Sequence, residues 1–148
     1  MDINQHIIQS IQAQAQSLLN MAGQDRNDYQ STVDLIDSMS GKLIFTGMGK
    51  SGIIARKLAA TYSSTGIPSF FVHPGEAYHG DLGMIEANDV LFAISNSGHT
   101  PELLNLLQYS RTEKVIGLSQ SHDSALAQFS TVHLECKVGQ HTCYSKAQ

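Results

Sequence analysis

The chain has 148 residues, a net charge of -4 and two cysteines, which is the length of one ordinary domain and enough to bury a core without disulfides or metals. With no basic run or stripe, that charge excludes a general electrostatic pull toward nucleic acid. No stretch approaches the ~20 apolar residues of a membrane span, and the N-terminus lacks the charged start and apolar core of a signal peptide, so a cytoplasmic protein with neither nucleic acid nor membrane as partner is expected.

From Ile3 to about Met21 the residues Ile3, Ile7, Ile11, Leu18 and Ala22 recur at helical spacing, with glutamines on the other face. Residues 23–27 break this amphipathic helix. Asp28 is placed to cap a second one, with Tyr29, Val33, Ile36 and Met39 along one side. Both apolar stripes demand cover, from a core or from a second subunit.

Lys42 to Thr46 reads as a short strand, and Gly47-Met48-Gly49-Lys50-Ser51-Gly52 as a glycine-rich turn before a helix from about Ile53 to Ser63. The run is not a P-loop, which needs four residues between its first glycine and Gly-Lys-Ser/Thr. Nor is it a full dinucleotide fingerprint, because Ile53 and Ile54 follow Gly52. What remains is a lysine, a hydroxyl and free amides at a helix start, suited to a compact anion.

A turn at Gly66-Ile67-Pro68 leads into a strand from Ser69 to His73, ended by Pro74 and Gly75. The following EAYHGDLGM, Glu76 to Met84, is too rich in glycine for a long regular helix. Its His79, between Tyr78 and Gly80, suits a proton carrier because its unperturbed pKa lies nearest neutrality; a structural hydrogen bond to local backbone accounts for it equally well.

The stretch from Asn88 to Leu107 changes period in mid-course. Val90 to Ile94 is a continuous apolar run, as in a strand covered on both faces. Ser95, Asn96, Ser97, Gly98, His99 and Thr100 form a polar turn. Pro101 and Glu102 then open a helix carrying Leu103, Leu104, Leu106 and Leu107. Unpaired amides at such a helix start suit a phosphate, while the plainer alternative is that Ser97 or Thr100 caps the helix. A fourth strand from Glu113 to Leu118, a short helix from Ser124 to Phe129 and a fifth strand from Val132 to Val138 complete the pattern. Strands alternating with helices predict a three-layer α/β sandwich with right-handed parallel connections, its ligands beyond the carboxyl ends of the strands.

Cys136 and Cys143 match no common zinc or redox spacing and read as reduced thiols. The seven histidines are scattered, and His141 with Cys143 makes only a two-ligand cluster, so no metal site is expected.

The runs GMGKSG, STGIPSFFVHPGEAYHGDLGMI and DVLFAISNSG resemble the sugar isomerase (SIS) family in its arabinose 5-phosphate isomerase branch, over about Gly41 to Lys137. The long middle run points to the branch, whereas a short SxSG points only to the superfamily. The resemblance implies a flavodoxin-like five-stranded parallel sheet, a homotetramer and no organic cofactor. It implies conversion of D-arabinose 5-phosphate to D-ribulose 5-phosphate, which feeds Kdo synthesis for lipopolysaccharide or capsule. It implies substrate contacts from Ser51, Ser95, Asn96, Ser97 and Thr100, and catalytic roles for Lys50, His79 and Glu102.

By the same alignment, His99 replaces a glutamate after SxSG, and His141 stands where the family has a proton-abstracting glutamate. The family's closing helix, a later histidine and paired CBS domains have no counterpart in the 148 residues, so residues 1–148 read as a single SIS domain that is an isolated domain, a shortened homologue or a fragment with altered activity. Three activities stand: an isomerase, a module that senses sugar phosphates without turnover, and a structural subunit that binds no ligand. The last leaves both serine turns unexplained.

Overall fold

Five short segments of four or five residues become five parallel strands in this computed structural model, which describes residues 2–24 and 26–137. Two helices, α1 (Ile3–Ala22) and α2 (Asp28–Asp37), come before β1 (Leu43–Gly47), α3 (Gly49–Ser64) and β2 (Ser69–Val72). Two short 3-10 turns, Ala77–His79 and Asp81–Met84, then lead to β3 (Val90–Ile94), α4 (Pro101–Tyr109), β4 (Val115–Ser119), α5 (Ala125–Phe129) and β5 (Val132–Glu135). The sheet order is β2-β1-β3-β4-β5, with every pairing parallel.

All residues of β1 and β3 are buried, which explains why their sequences show no alternation. The pleat still divides them. Ile44, Leu91 and Ala93 join Leu103, Leu106 and Leu107 of α4 and Leu126 of α5 on one face. Leu43, Phe45, Val90 and Phe92 join Ala55 and Ala59 of α3, with Leu35 and Ile36 of α2, on the other. The three-layer sandwich expected from the sequence is therefore present, with β1 and β3 at its centre.

Several boundaries differ from expectation, each for a local reason. The helix after β1 starts at Gly49 rather than near Ile53, so Lys50 and Ser51 stand in its first turn. Gly49 supplies a φ of 55° at that start, a conformation costly to other residues. Asp28 is the first residue of α2 instead of its cap; its carboxylate takes Arg26 Nη2 at 2.6 Å and Arg26 Nε at 3.1 Å. The edge strand β5 ends at Glu135, short of the expected Val138, which lies outside the described residues. No residue of α1 is buried, and Ile3, Ile7, Ile11 and Leu18 stay exposed, so the described residues do not cover that stripe.

At the opposite end of the strands from the serine turns, a buried carboxylate ties β1 to β3. Asp89, fully buried, accepts the Lys42 amide at 2.7 Å and the Glu86 amide at 2.8 Å, with Lys42 Nζ at 3.3 Å. Asp89→Ala strands both amides, and each unsatisfied buried donor costs about 1–3 kcal/mol. Urea unfolding should record a loss of about 2–6 kcal/mol; a loss under about 1 kcal/mol, the worth of an exposed ion pair, would show that water replaces the carboxylate.

Candidate active site

Neighbouring strands β1 and β3 leave the sheet in different company: the helix after β1 packs on one face and the helix after β3 on the other. Their carboxyl ends thus flank the switch point of a doubly wound sheet, where a crevice forms. The two turns singled out by sequence open on it. Glycines make the approach close. A Cβ on Gly47 would lie 3.0 Å from both Ile94 O and Ser51 C, and one on Gly52 would lie 2.6 Å from Gly47 O. The first turn of α3 therefore presses on the ends of both strands.

Each turn also leaves amides free. Lys50 and Ser51 in α3, and Glu102 and Leu103 in α4, have no acceptor for their N–H groups among the described residues, as first-turn positions of a helix do. Neither helix has a side-chain cap; Thr100 occupies the cap position of α4 without a capping bond, so the plainer reading of that turn is not what forms. Unpaired amides with the positive end of a helix dipole favour an anion.

Within the serine turn the hydroxyls divide their work. Ser95, 2% exposed, accepts the Gly98 amide at 3.0 Å and shares a 2.8 Å hydrogen bond with Thr100 Oγ1. Ser95, expected as a substrate contact, is enclosed here, with its hydroxyl serving the turn itself. Ser97 is exposed and accepts the His99 amide at 3.1 Å, and Asn96 is exposed beside it. Gly98, buried at φ 70°, closes the turn against α5.

The other expected site residues are less closely joined. Lys50 and Glu102 are exposed on the first turns of α3 and α4, and Ser51 is half-buried. His79 is exposed at the end of the first 3-10 turn. Its neighbour Tyr78 meets Tyr109, the last residue of α4, with ring centroids 6.4 Å apart. No hydrogen bond joins His79, Lys50 or Glu102 to that turn among the described residues. His141 lies outside the described residues.

One group escaped the sequence reading, because its members sit on separate elements. Beneath Gly98, Ser119 at the end of β4 and Ser124 at the cap of α5 share a 2.9 Å hydrogen bond. His133 of β5 brings Nε2 to 2.7 Å from Ser119 Oγ, and its Nδ1 lies 2.8 Å from His122 Nδ1. Glu135 accepts the His122 amide at 3.1 Å and holds Lys137 at 3.4 Å. Burial, then the facing His122, hold the His133 imidazole below its ordinary pKa.

The family model of the SIS domain matches residues 38–147. The chain belongs to this family. It is 42% identical over 138 residues to the Escherichia coli arabinose 5-phosphate isomerase KpsF, covering 91% of this chain and 42% of that protein. To KdsD of Yersinia pestis it is 40% identical over 144 residues, covering 96% and 44%. The chain thus spans less than half the length of these curated relatives. Among solved structures, an Escherichia coli CFT073 protein in complex with arabinose 5-phosphate superposes with a TM-score of 0.86 at 38% identity, covering 97% of this chain and 79% of that one. A Bacteroides fragilis protein assigned as a phosphosugar isomerase involved in capsule formation gives 0.90 at 39% identity, with 97% and 78% covered.

Proposed function

We propose that this SIS domain isomerises D-arabinose 5-phosphate to D-ribulose 5-phosphate. The observation that carries the reading is the pair of uncapped helix starts, α3 and α4, opening with hydroxyl residues on one crevice. The relatives named arabinose 5-phosphate isomerase and the solved structure holding arabinose 5-phosphate supply the sugar. In this reading Ser97, Asn96 and Ser51 meet the phosphate with the free amides, while Ser95 and Thr100 hold the turn in shape.

Aldose–ketose conversion opens the sugar ring, takes a proton from C2 and returns one to C1 through an enediolate. Lys50 supplies positive charge where the two oxygens become negative. His79 carries protons in ring opening or between the carbons, and Glu102 is a further acid or base. His141 takes the place of the family's glutamate base.

Ser97→Ala removes a hydrogen bond to a charged group, worth about 1.5–3 kcal/mol, so arabinose 5-phosphate should bind roughly 10- to 150-fold more weakly. Free arabinose, which never engages the turn's anion site, should bind as before. Calorimetry with both sugars decides it: equal losses overturn the phosphate assignment. Binding without turnover in a coupled assay would leave a sugar-phosphate-sensing module.

The reading extends to assembly and place. The uncovered stripe on α1 supports a homo-oligomer, a tetramer by resemblance, checked by sedimentation at micromolar concentration. A phosphorylated sugar does not cross a bilayer unaided, which supports a cytoplasmic place in Kdo supply for lipopolysaccharide or capsule. Among the described residues no helix is long and apolar enough to cross a membrane.

A further inference from the structure

The hydrogen bonds around Ser119 admit one assignment that serves every partner. Ser119 has a single proton and gives it to Ser121 O at 3.1 Å. Ser124 Oγ accepts the Ala127 amide at 3.2 Å and so turns its own proton toward Ser119. His133 then donates from Nε2 to Ser119 Oγ, which leaves its Nδ1 bare as the acceptor for His122 Nδ1–H. On its other side His122 turns Nε2 toward Glu135, at 3.8 Å. As long as His122 keeps its own Nδ1–H, a second proton on His133, at Nδ1, sets two donors 2.8 Å apart.

This chain of contacts ends on the serine turn. A Cβ on Gly98 would collide with Ser124 Oγ and fall 3.1 Å from Ser119 Oγ, so the serine pair lies in direct contact with the Gly98 backbone. Leu126 N–H donates to Gly98 O at 2.9 Å and Gln120 N–H to Asn96 O at 3.0 Å, tying the same two segments together. We propose that neutral His133 is a positioning residue which, through Ser119 and Ser124, holds the serine turn in its anion-binding shape, and that its protonation loosens the turn. The part of this that concerns affinity rests on the phosphate site proposed above.

The charges around the pair fix the direction of the effect. His122 approaches from the β4–α5 turn, Glu135 with Lys137 from β5, and Arg26 with Asp28 from the start of α2. Burial and the facing His122 lower the His133 pKa, and the remaining charges do not reverse this. A base whose folded pKa is depressed binds fewer protons folded than unfolded. Its contribution is therefore complete above the ordinary histidine value and is lost as pH falls from there through the folded pKa.

The test is an NMR titration of the ligand-free, 15N-labelled chain. The Gly98 amide should shift with the same midpoint as the His133 ring, and that transition should vanish in His133→Gln, whose amide N–H can still serve Ser119. A Gly98 amide that stays still while His133 titrates, or moves identically in His133→Gln, overturns the proposal. In a second arm, arabinose 5-phosphate affinity should fall between about pH 7.5 and about pH 5.5 by roughly 2- to 10-fold more in the wild type than in His133→Gln, the worth of one hydrogen bond. The variant cancels the ligand's own phosphate ionisation near pH 6, and equal falls again overturn the proposal. If the sugar phosphate leaves Ser97 and Gly98 unshifted at about pH 7.5, where histidine is neutral, the phosphate reading is what fails, and the ligand-free titration still decides the role of His133.

Discussion

Gly98→Ala should cost about 2–5 kcal/mol of stability, the sum of about 1–2 for a left-handed alanine and 1–3 for overpacking, and abolish measurable sugar-phosphate binding. The residue sits at φ 70°, and the added methyl would collide with Ser124 Cβ, so either the turn or the cap of α5 must move. Gly66 is the control, because it has φ 92° and nothing within 4 Å of its missing Cβ. Gly66→Ala carries backbone strain alone, about 1–2 kcal/mol. Urea midpoints of the two variants separate strain from collision. Adding Ser124→Gly to Gly98→Ala removes the colliding atoms and should recover part of the loss as a coupling energy. A Gly98→Ala protein no less stable than Gly66→Ala would mean that α5 yields freely, and the serine turn would then not be braced from below.

The second large effect is on turnover. His79→Ala should lower kcat for arabinose 5-phosphate by about 10²–10⁴-fold, the usual worth of a positioned acid–base group, with little change in affinity. His79 is exposed and makes no hydrogen bond to the serine turn among the described residues; in the role proposed above, its loss removes an interaction made in the transition state rather than one that binds phosphate. Single-turnover kinetics beside direct binding measurements separate the two quantities. Full turnover in His79→Ala would keep the phosphate crevice and reassign the proton chemistry to another group.

Much of this molecule was legible in one dimension. The unbroken apolar run from Val90 to Ile94 announced a strand buried on both faces, and it proved wholly covered. Pro101 and Glu102 marked the start of α4 to the residue. The strand–helix alternation was enough for the parallel sheet. The start of α3 was misjudged because glycine reads as a breaker in a propensity argument, whereas here Gly49 provides the helix's entry conformation and Gly52 its close contact with Gly47.

The sequence by itself determined the order of strands and helices, the two serine-bearing turns and the family motifs, because hydrophobic period, helix-start chemistry and short runs such as GMGKSG are local properties of the chain. Only the tertiary structure decided which hydroxyls are enclosed and which stay exposed. Ser95 and Ser97 look alike in sequence, yet the Gly98 amide and Thr100 enclose the first and leave the second exposed. Only the packing of β4, α5 and β5 gathers Ser119, Ser124, His122 and His133 beneath Gly98. Residues far apart in the chain become hydrogen-bonded partners through sheet register and loop closure, and no local pattern of side chains encodes that distance.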